Sequence, residues 1–220
     1  MKQNVKVWDV PTRVFHWSLV LAVGFMWFSA ETGGDWLLWH LRCGLFILFL
    51  VVFRVCWGLW GSDTSRFSQF VKPGQIGAYL GGRISENEQP GHNPLGALMV
   101  VALLGMLLLQ LSTGLFAADE NTFTNSGYLN ALVSEHLGGT LRKVHVVAFK
   151  ALLALIVLHV GTIMFYKVVK KHNLITPMLT GYKQLEGTVK TLRFAGPAKL
   201  LAALVVAAAA VATVLALSAS

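Results

Sequence analysis

The chain has 220 residues, of which 55% are hydrophobic and only 13% are charged. Soluble domains usually carry about a quarter charged residues, so this composition excludes an ordinary soluble protein. Apolar runs of helix length recur along the chain and indicate an integral membrane protein. The net charge of +8 does not indicate a nucleic-acid partner, because membrane topology accounts for the basic residues better.

The apolar runs predict five membrane-spanning helices in chain order, over residues 14–30, 36–60, 94–117, 141–165 and 200–217. We expect an all-α integral membrane protein in which the first four segments form a four-helix transmembrane bundle. The bundle domain would cover residues 1–172, followed by a basic connector over residues 173–199. The run over residues 200–217 predicts an additional C-terminal transmembrane helix, since it is just long enough to span.

The distribution of charge predicts the orientation in the membrane. Most lysines and arginines fall on the N-terminal tail, after the second segment, or on the connector after the fourth. Acidic residues dominate the loops on the opposite side, so the positive-inside rule places the N-terminus in the cytoplasm. We expect the first apolar run to remain as a span, because Asp9, Pro11 and His16 are unusual in a cleaved signal peptide.

The fourth segment contains two histidines, His145 and His159, fourteen residues apart. On one helix they leave the same face and stand about 21 Å apart along the axis. Because the segments alternate in direction, His16 should lie level with His159 near the cytoplasmic face, and His40 level with His145 near the outer face. The two layers are too far apart to share one metal ion, since imidazole–metal bonds are about 2 Å long.

Each layer suits a haem iron with two axial imidazoles, clamped between facing helices of the bundle. The alternative for any single histidine near a helix end is an interfacial or hydrogen-bonded role. Four histidines matched in depth as two cross-helix pairs favour haem ligation over that alternative.

Arginines supply candidate partners for the haem propionates. Arg54 follows His40 by the same interval that separates the two histidines of the fourth segment, so it should face the bundle interior near the cytoplasmic haem. The alternative for Arg54 is to extend to the cytoplasmic interface. Arg13, one turn before the first-segment histidine, is a second propionate candidate. Arg42 and Arg142 lie near the outer haem, although an interfacial position is favoured for both.

Three further polar residues are placed by helical periodicity and by position. Lys150 lies about 140° to 180° from the histidine face of the fourth segment, so we predict that it does not contact haem. It would reach past lipid, or meet the fifth segment or a partner subunit. His92, at the cytoplasmic mouth of the third segment, is a candidate for lining a quinone site, although a capping or interfacial role is favoured. Asn93 is a candidate helix cap before Pro94.

Four stretches together resemble the bacterial cytochrome b561 family, which includes the b-type cytochrome subunits of nickel–iron hydrogenases. These are VWDVPTRVFHW, the second-segment pattern from His40 to Arg54-Val-Cys-Trp-Gly, GHNPLG, and the helix with the two paired histidines. The resemblance covers about residues 5 to 170. It implies two haem b groups, with His16 and His159 on the cytoplasmic-side iron and His40 and His145 on the periplasmic-side iron. The fifth segment has no counterpart in the family.

The resemblance also implies a function in electron transport. It implies a multi-pass protein of the bacterial inner membrane, surrounded by lipid, that exchanges electrons between the quinone pool of a respiratory chain and a redox partner. That partner would be a periplasmic c-type cytochrome or a hydrogenase-like enzyme subunit. Whether the chain has quinol oxidoreductase activity of its own, or acts as a subunit of a larger oxidoreductase, is left open.

Two other functions are left open as well. One is a passive, haem-bearing membrane anchor for a partner enzyme. The other is a haem-free transporter that relays protons or ions through intramembrane His and Lys. The residues between the two histidines of the fourth segment are mainly Val, Ala, Phe, Leu and Ile, which argues against a water path.

Overall fold

The structure is a computed structural model that describes residues 2–83, 90–119, 125–187 and 191–219. Most of the described chain is helical, and five of the described helices are long and apolar enough to cross a membrane. This confirms the prediction of an all-α integral membrane protein. The elements are, in chain order, β1 (Lys2–Lys6), α1 (Val10–Thr32), α2 (Trp36–Trp60), α3 (Phe67–Phe70), α4 (Ile76–Leu80), α5 (Pro94–Phe116), α6 (Glu135–Val168), α7 (Ile175–Thr180), β2 (Tyr182–Glu186) and α8 (Pro197–Ser218).

The predicted membrane segments correspond to α1, α2, α5, α6 and α8, with the largest difference in α6. The sequence predicts its start at residue 141, whereas the helix begins at Glu135 and runs for 34 residues. At about 1.5 Å per residue this exceeds the hydrocarbon thickness of about 30 Å, so the helix continues beyond the apolar run. Apolar patterning could not show this extension, because its first turns are polar. Glu135 in the first turn is favourable at the positive end of the helix dipole.

By its internal contacts the chain divides into two compact units, which are described separately. The first unit contains Met1–Phe15, Arg54–Ala102 and Leu155–Ala203, and the second contains His16–Phe53, Leu103–Ala154 and Leu204–Ser220.

In the first unit, the N-terminal tail pairs with part of the predicted connector. Strands β1 and β2 are antiparallel, with Lys2 opposite Glu186 and Lys6 opposite Tyr182. The carbonyl of Gly181, which has φ +91°, accepts hydrogen bonds from the two backbone amides that follow β1. The sequence analysis does not predict this sheet. A short strand in a basic segment carries no apolar alternation, so its partner is decided only in three dimensions.

The start of α1 is fixed by a buried aspartate. Asp9 accepts the backbone amide of Thr12 at 2.8 Å, which is the bond of a helix N-cap. Its other oxygen accepts the indole N–H of Trp57 at 3.0 Å. The hydroxyl of Thr12 meets that of Ser65 at 2.7 Å. Asp9 and Thr12 of the VWDVPTR stretch therefore join the start of α1 to the end of α2 and the loop after it.

The beginning of α8 is attached to that same loop, also within the first unit. The backbone amide of Asp63 donates to the carbonyl of Arg193 at 3.0 Å. The backbone amide of Arg193 donates to the side-chain carboxylate of Asp63 at 2.9 Å. The indole N–H of Trp60 donates to the carbonyl of Lys199 at 3.2 Å. The described part of the predicted connector thus belongs to the first unit and is hydrogen-bonded within it; residues 188–190 lie outside the described residues.

In the second unit, α1 and α2 are joined by a tight turn. Gly33 and Gly34 both have positive φ, +66° and +57°, a conformation that residues with a side chain rarely adopt. The ring of Trp36 packs edge-on against Phe25 and Phe28. The turn therefore fixes how the end of α1 and the start of α2 lie against each other, which is where His40 is positioned.

Candidate functional site

His40 of α2 and His145 of α6 face each other inside the second unit. Their ring centroids are 6.3 Å apart, and the ring planes meet at 78°. Two imidazoles that bond one metal ion from opposite sides would have centroids about 6 Å apart, because each bond is about 2 Å and the ring centre lies about 1 Å behind the nitrogen. The observed spacing therefore suits two axial ligands of a single iron.

The orientation of His40 is fixed by α1. Its Nδ1 lies 3.1 Å from the carbonyl oxygen of Met26 and 3.2 Å from the hydroxyl of Ser29, which is fully buried. A carbonyl oxygen can only accept, so Nδ1 carries the proton. The Nε2 nitrogen then carries the free lone pair, which is the form that a metal requires.

The same arrangement recurs at His145, this time against α5. Its Nδ1 lies 3.0 Å from the carbonyl oxygen of Gln110 and 3.2 Å from the hydroxyl of Thr113. The close approach depends on Gly114. A Cβ atom at that position would lie 2.8 Å from Cε1 and 3.1 Å from Nδ1 of the His145 ring. The sequence analysis does not select Gly114, because a glycine in a membrane helix is usually explained by helix packing alone.

The two histidines line a cavity of about 460 Å³ in the second unit. This volume lies within the usual range of small-molecule and cofactor pockets, about 300–1,000 Å³. Most lining residues are apolar and come from α1, α2, α5 and α6, including Gly44. Besides the two histidines, the polar residues of the lining include Glu31, Gln110, Asp119, Asn125, Tyr128 and Arg142.

A flat, largely apolar cofactor bound through two axial imidazoles fits this cavity. In the part of the chain that the structure describes, no group of three or more His, Cys, Asp and Glu side chains could hold a metal ion by itself. Two imidazoles are sufficient for haem iron, because the porphyrin supplies the four remaining nitrogens. The residues present therefore fit a haem better than a bare ion.

The other predicted pair is divided between the two units. His16 lies in the second unit beside Trp17, with ring centroids 5.0 Å apart, and His159 lies in the first. Because these two histidines lie in different units, their pairing on one iron stays a prediction.

Arg54 is buried in the first unit, with 3% of its surface exposed. Its guanidinium donates to the carbonyl of Ser65 at 3.1 Å and lies over the ring of Phe67, 5.1 Å from the centroid. Gly58 allows this, because a Cβ there would overlap the Phe67 ring. The interior position agrees with the predicted orientation of Arg54, and its role toward a propionate stays a prediction.

Arg13, the second predicted propionate partner, is hydrogen-bonded to the last turn of α7. Its Nη1 donates to the carbonyl of Leu179 at 2.5 Å. Its Nε is buried and has no hydrogen-bond partner among the described residues. The structure thus gives Arg13 a structural contact, and its role toward haem stays a prediction.

His92 lies between two aromatic rings rather than at an open interface. Its ring centroid is 4.7 Å from that of Trp8 and 4.5 Å from that of Phe70. Removal from water and the positive charge of Arg54 lower the pKa of His92 from 6.5 to about 3, so the ring is neutral at physiological pH.

A hydrogen-bonded group that the sequence analysis missed lies beside His92 in the chain. Asn93 accepts the amide of Gly96 at 2.7 Å, which confirms its predicted role as the cap of α5. Its Nδ2 also donates to the hydroxyl of Tyr79 at 2.9 Å. That hydroxyl meets the hydroxyl of Tyr166 at 2.5 Å. Three polar side chains, from α4, the cap of α5 and α6, therefore converge within the first unit.

Lys150 is exposed and is not among the described residues that line the cavity. This agrees with the prediction that it faces away from haem.

Membrane-length helices and two facing imidazoles in an apolar cavity define a membrane haem protein. The comparison with known families agrees: the family model described as prokaryotic cytochrome b561 matches residues 7–181, and the chain belongs to that family. It is therefore a multi-pass membrane b-type cytochrome that functions in electron transfer and binds b-type haem. No curated protein and no solved structure matches the chain at a significant level.

Proposed function

We propose that this protein is a dihaem cytochrome that carries electrons between the quinone pool of the bacterial inner membrane and a redox partner. The observation that carries the proposal is the facing pair of His40 and His145, 6.3 Å between centroids. Each ring is held by a backbone carbonyl so that Nε2 is free to bind iron. A bound haem would supply one-electron redox chemistry at this site.

The protein residues at this site have three tasks. His40 and His145 hold the iron through Nε2. The carbonyls of Met26 and Gln110 fix the tautomer and the orientation of the rings, which tunes their strength as ligands. The apolar lining limits contact with water, which sets the local polarity and hence the reduction potential.

The second haem of the proposal rests on the sequence. His16 and His159 are matched in depth by the alternation of the helices, about 21 Å from the first pair. Arg54 and Arg13 would hold propionates of this haem. We place the N-terminus and this second haem on the cytoplasmic side, on the strength of the positive-inside rule.

Haem counting and paired substitutions test the assignment. The purified protein should contain two haems per chain by pyridine haemochrome and show a b-type band in its reduced-minus-oxidised spectrum. His40→Ala and His145→Ala should remove one spectral component, and His16→Ala and His159→Ala the other. His136→Ala is the matched control, since His136 is exposed and lies outside both pairs. Loss of the same component in His40→Ala and His159→Ala would show that the pairing is wrong.

We place the quinone in the first unit, beside the hydroxyl groups of Tyr79 and Tyr166. Oxidation of a quinol requires acceptors for two protons while two electrons leave one at a time. The hydrogen-bonded hydroxyls of Tyr79 and Tyr166 can bind a quinol and pass on its protons, whereas His92, with a pKa of about 3, is too weak a base to retain one.

Tyr166→Phe should slow reduction of the haem by a short-chain quinol about 100- to 10,000-fold, the usual contribution of a positioned proton-transfer group, without changing the haem spectrum. Tyr182→Phe is the control, because Tyr182 is exposed on β2. No quinol oxidation by the isolated wild-type protein would favour the passive-anchor function instead. Equal rates for Tyr166→Phe and wild type would show that the quinone binds elsewhere.

For the redox partner we propose a periplasmic c-type cytochrome or a hydrogenase-like subunit, as in the resemblance from the sequence. Topology reporters fused after α1 and after α2 test the orientation on which this depends. A fusion after α1 should be active only as a periplasmic reporter, and a fusion after α2 only as a cytoplasmic reporter. The reverse pattern would place the outer site on the cytoplasmic side and exclude a periplasmic partner there.

A further inference from the structure

One arginine lies in the polar part of the His40–His145 cavity. Arg142 lines this cavity, and it is the only lysine or arginine among the described residues that do so. It lies three residues before His145 on α6, and residues three apart share a helix face. Arg42, at the same end of the second unit, follows His40 by two residues and stacks on Trp39 at 4.8 Å, outside the cavity lining.

The contact that Arg142 makes is weak enough to be replaced. Its Nη1 is 3.8 Å from Oδ1 of Asp119, which is beyond hydrogen-bond distance. The other oxygen of Asp119 accepts a hydrogen bond from the backbone amide of Asn125 at 3.3 Å, so this carboxylate has a second partner. The Arg142 side chain is 35% exposed and therefore has room to turn. Its planar fork is suited to a carboxylate of a ligand.

We propose that Arg142 binds a propionate of the haem held by His40 and His145. This inference rests on the proposed haem at that site. It names the residue that would bind the carboxylate-bearing edge of that haem. Each haem carries two carboxylates, and an anion placed in a largely apolar cavity requires a cation. Binding would orient the propionate edge toward Asp119 and Asn125 in the cavity lining, and the opposite edge toward the apolar lining. The sequence alone left Arg42 and Arg142 equivalent, whereas their positions relative to the cavity separate them.

Potentiometric titration of the purified haem-loaded protein tests the proposal. The component that belongs to this site is first identified as the one lost in His40→Ala. Removing a positive charge beside haem favours the oxidised state, so Arg142→Gln should lower the equilibrium constant for reduction of this component about tenfold, which is 59 mV for a one-electron couple. Arg142→Lys, which keeps the charge, should recover at least half of this shift. Arg42→Gln, the matched control, should change the constant less than threefold.

The outcomes distinguish the role of Arg142 from the existence of the haem site. A shift in Arg142→Gln that is no larger than that in Arg42→Gln would refute the role of Arg142 while leaving the haem site intact. No difference in haem content between wild type and His40→Ala would refute the haem site itself. The haem component of the other histidine pair reports folding, since it should keep its content and potential in all three arginine variants.

Discussion

Gly114→Ala tests whether the backbone of α5 is shaped for the His145 ring. The added methyl carbon would lie 2.8 Å from Cε1 and 3.1 Å from Nδ1 of that ring, whereas ordinary contacts are 3.4–4 Å. The ring must therefore retreat by several tenths of an ångström. It would move away from the Gln110 carbonyl, at 3.0 Å, that fixes its orientation.

The expected loss of haem affinity follows from the cost of overpacking. Extra methyl groups in packed sites cost about 1–3 kcal/mol. At 1.4 kcal/mol per factor of ten, haem at the His40–His145 site should bind about 5- to 150-fold more weakly. Alanine is favoured over glycine in a helix by about 1 kcal/mol, so the fold itself should not be weakened. The loss should therefore appear in haem binding rather than in the stability of the protein.

Gly105→Ala is the matched control on the same helix, since a Cβ at Gly105 meets nothing within 4 Å. The assay is haem per chain after purification, together with transfer of haem to an excess of apomyoglobin. We expect faster transfer of one haem in Gly114→Ala and wild-type behaviour in Gly105→Ala. Wild-type haem content and transfer rate in Gly114→Ala would refute the assignment of His145 as a ligand in this geometry.

Three further substitutions probe other parts of the structure. Asp9→Ala should reduce stability by about 1–3 kcal/mol, because it removes a helix cap and the carboxylate that accepts the indole N–H of Trp57. The thermal unfolding midpoint measures this, and an unchanged midpoint would contradict the role of the cap. Ser29→Ala should retain the haem and weaken its binding by less than about 1 kcal/mol, because His40 keeps its hydrogen bond to the Met26 carbonyl. Complete haem loss would show that the Ser29 hydroxyl is the main hydrogen-bond partner of His40. Lys150→Leu should leave both haem spectra unchanged, and a shifted spectrum would place the lysine at a haem.

The helices could be predicted from the sequence because their cause is local. Twenty or so consecutive apolar residues in a bilayer must satisfy their own backbone hydrogen bonds, and a helix does so. The start of α6 was placed six residues too late, since its first turns, from Glu135 onward, lack the apolar signal. The cap at Asn93 was predictable for the same local reason, since it precedes a helix that begins with Pro94.

The pairing of His40 with His145 could also be predicted from the sequence. Helical periodicity and alternating direction match His40 with His145, and the structure brings these two rings together in the second unit. The role of Gly114 could not be predicted, because only the position of the His145 ring distinguishes this glycine from others in the membrane helices. Arg142 and Arg42 were likewise equivalent until the lining of the cavity separated them.

The sequence by itself determined that this protein spans a membrane and that imidazoles are available to a metal inside it. Both follow from composition and from the spacing of residues along single helices. Only the tertiary structure decided which groups hold those imidazoles, which arginine lines their cavity, and that the N-terminal tail pairs with β2. Such contacts join residues that are distant in the chain, and they depend on how side chains from different elements meet.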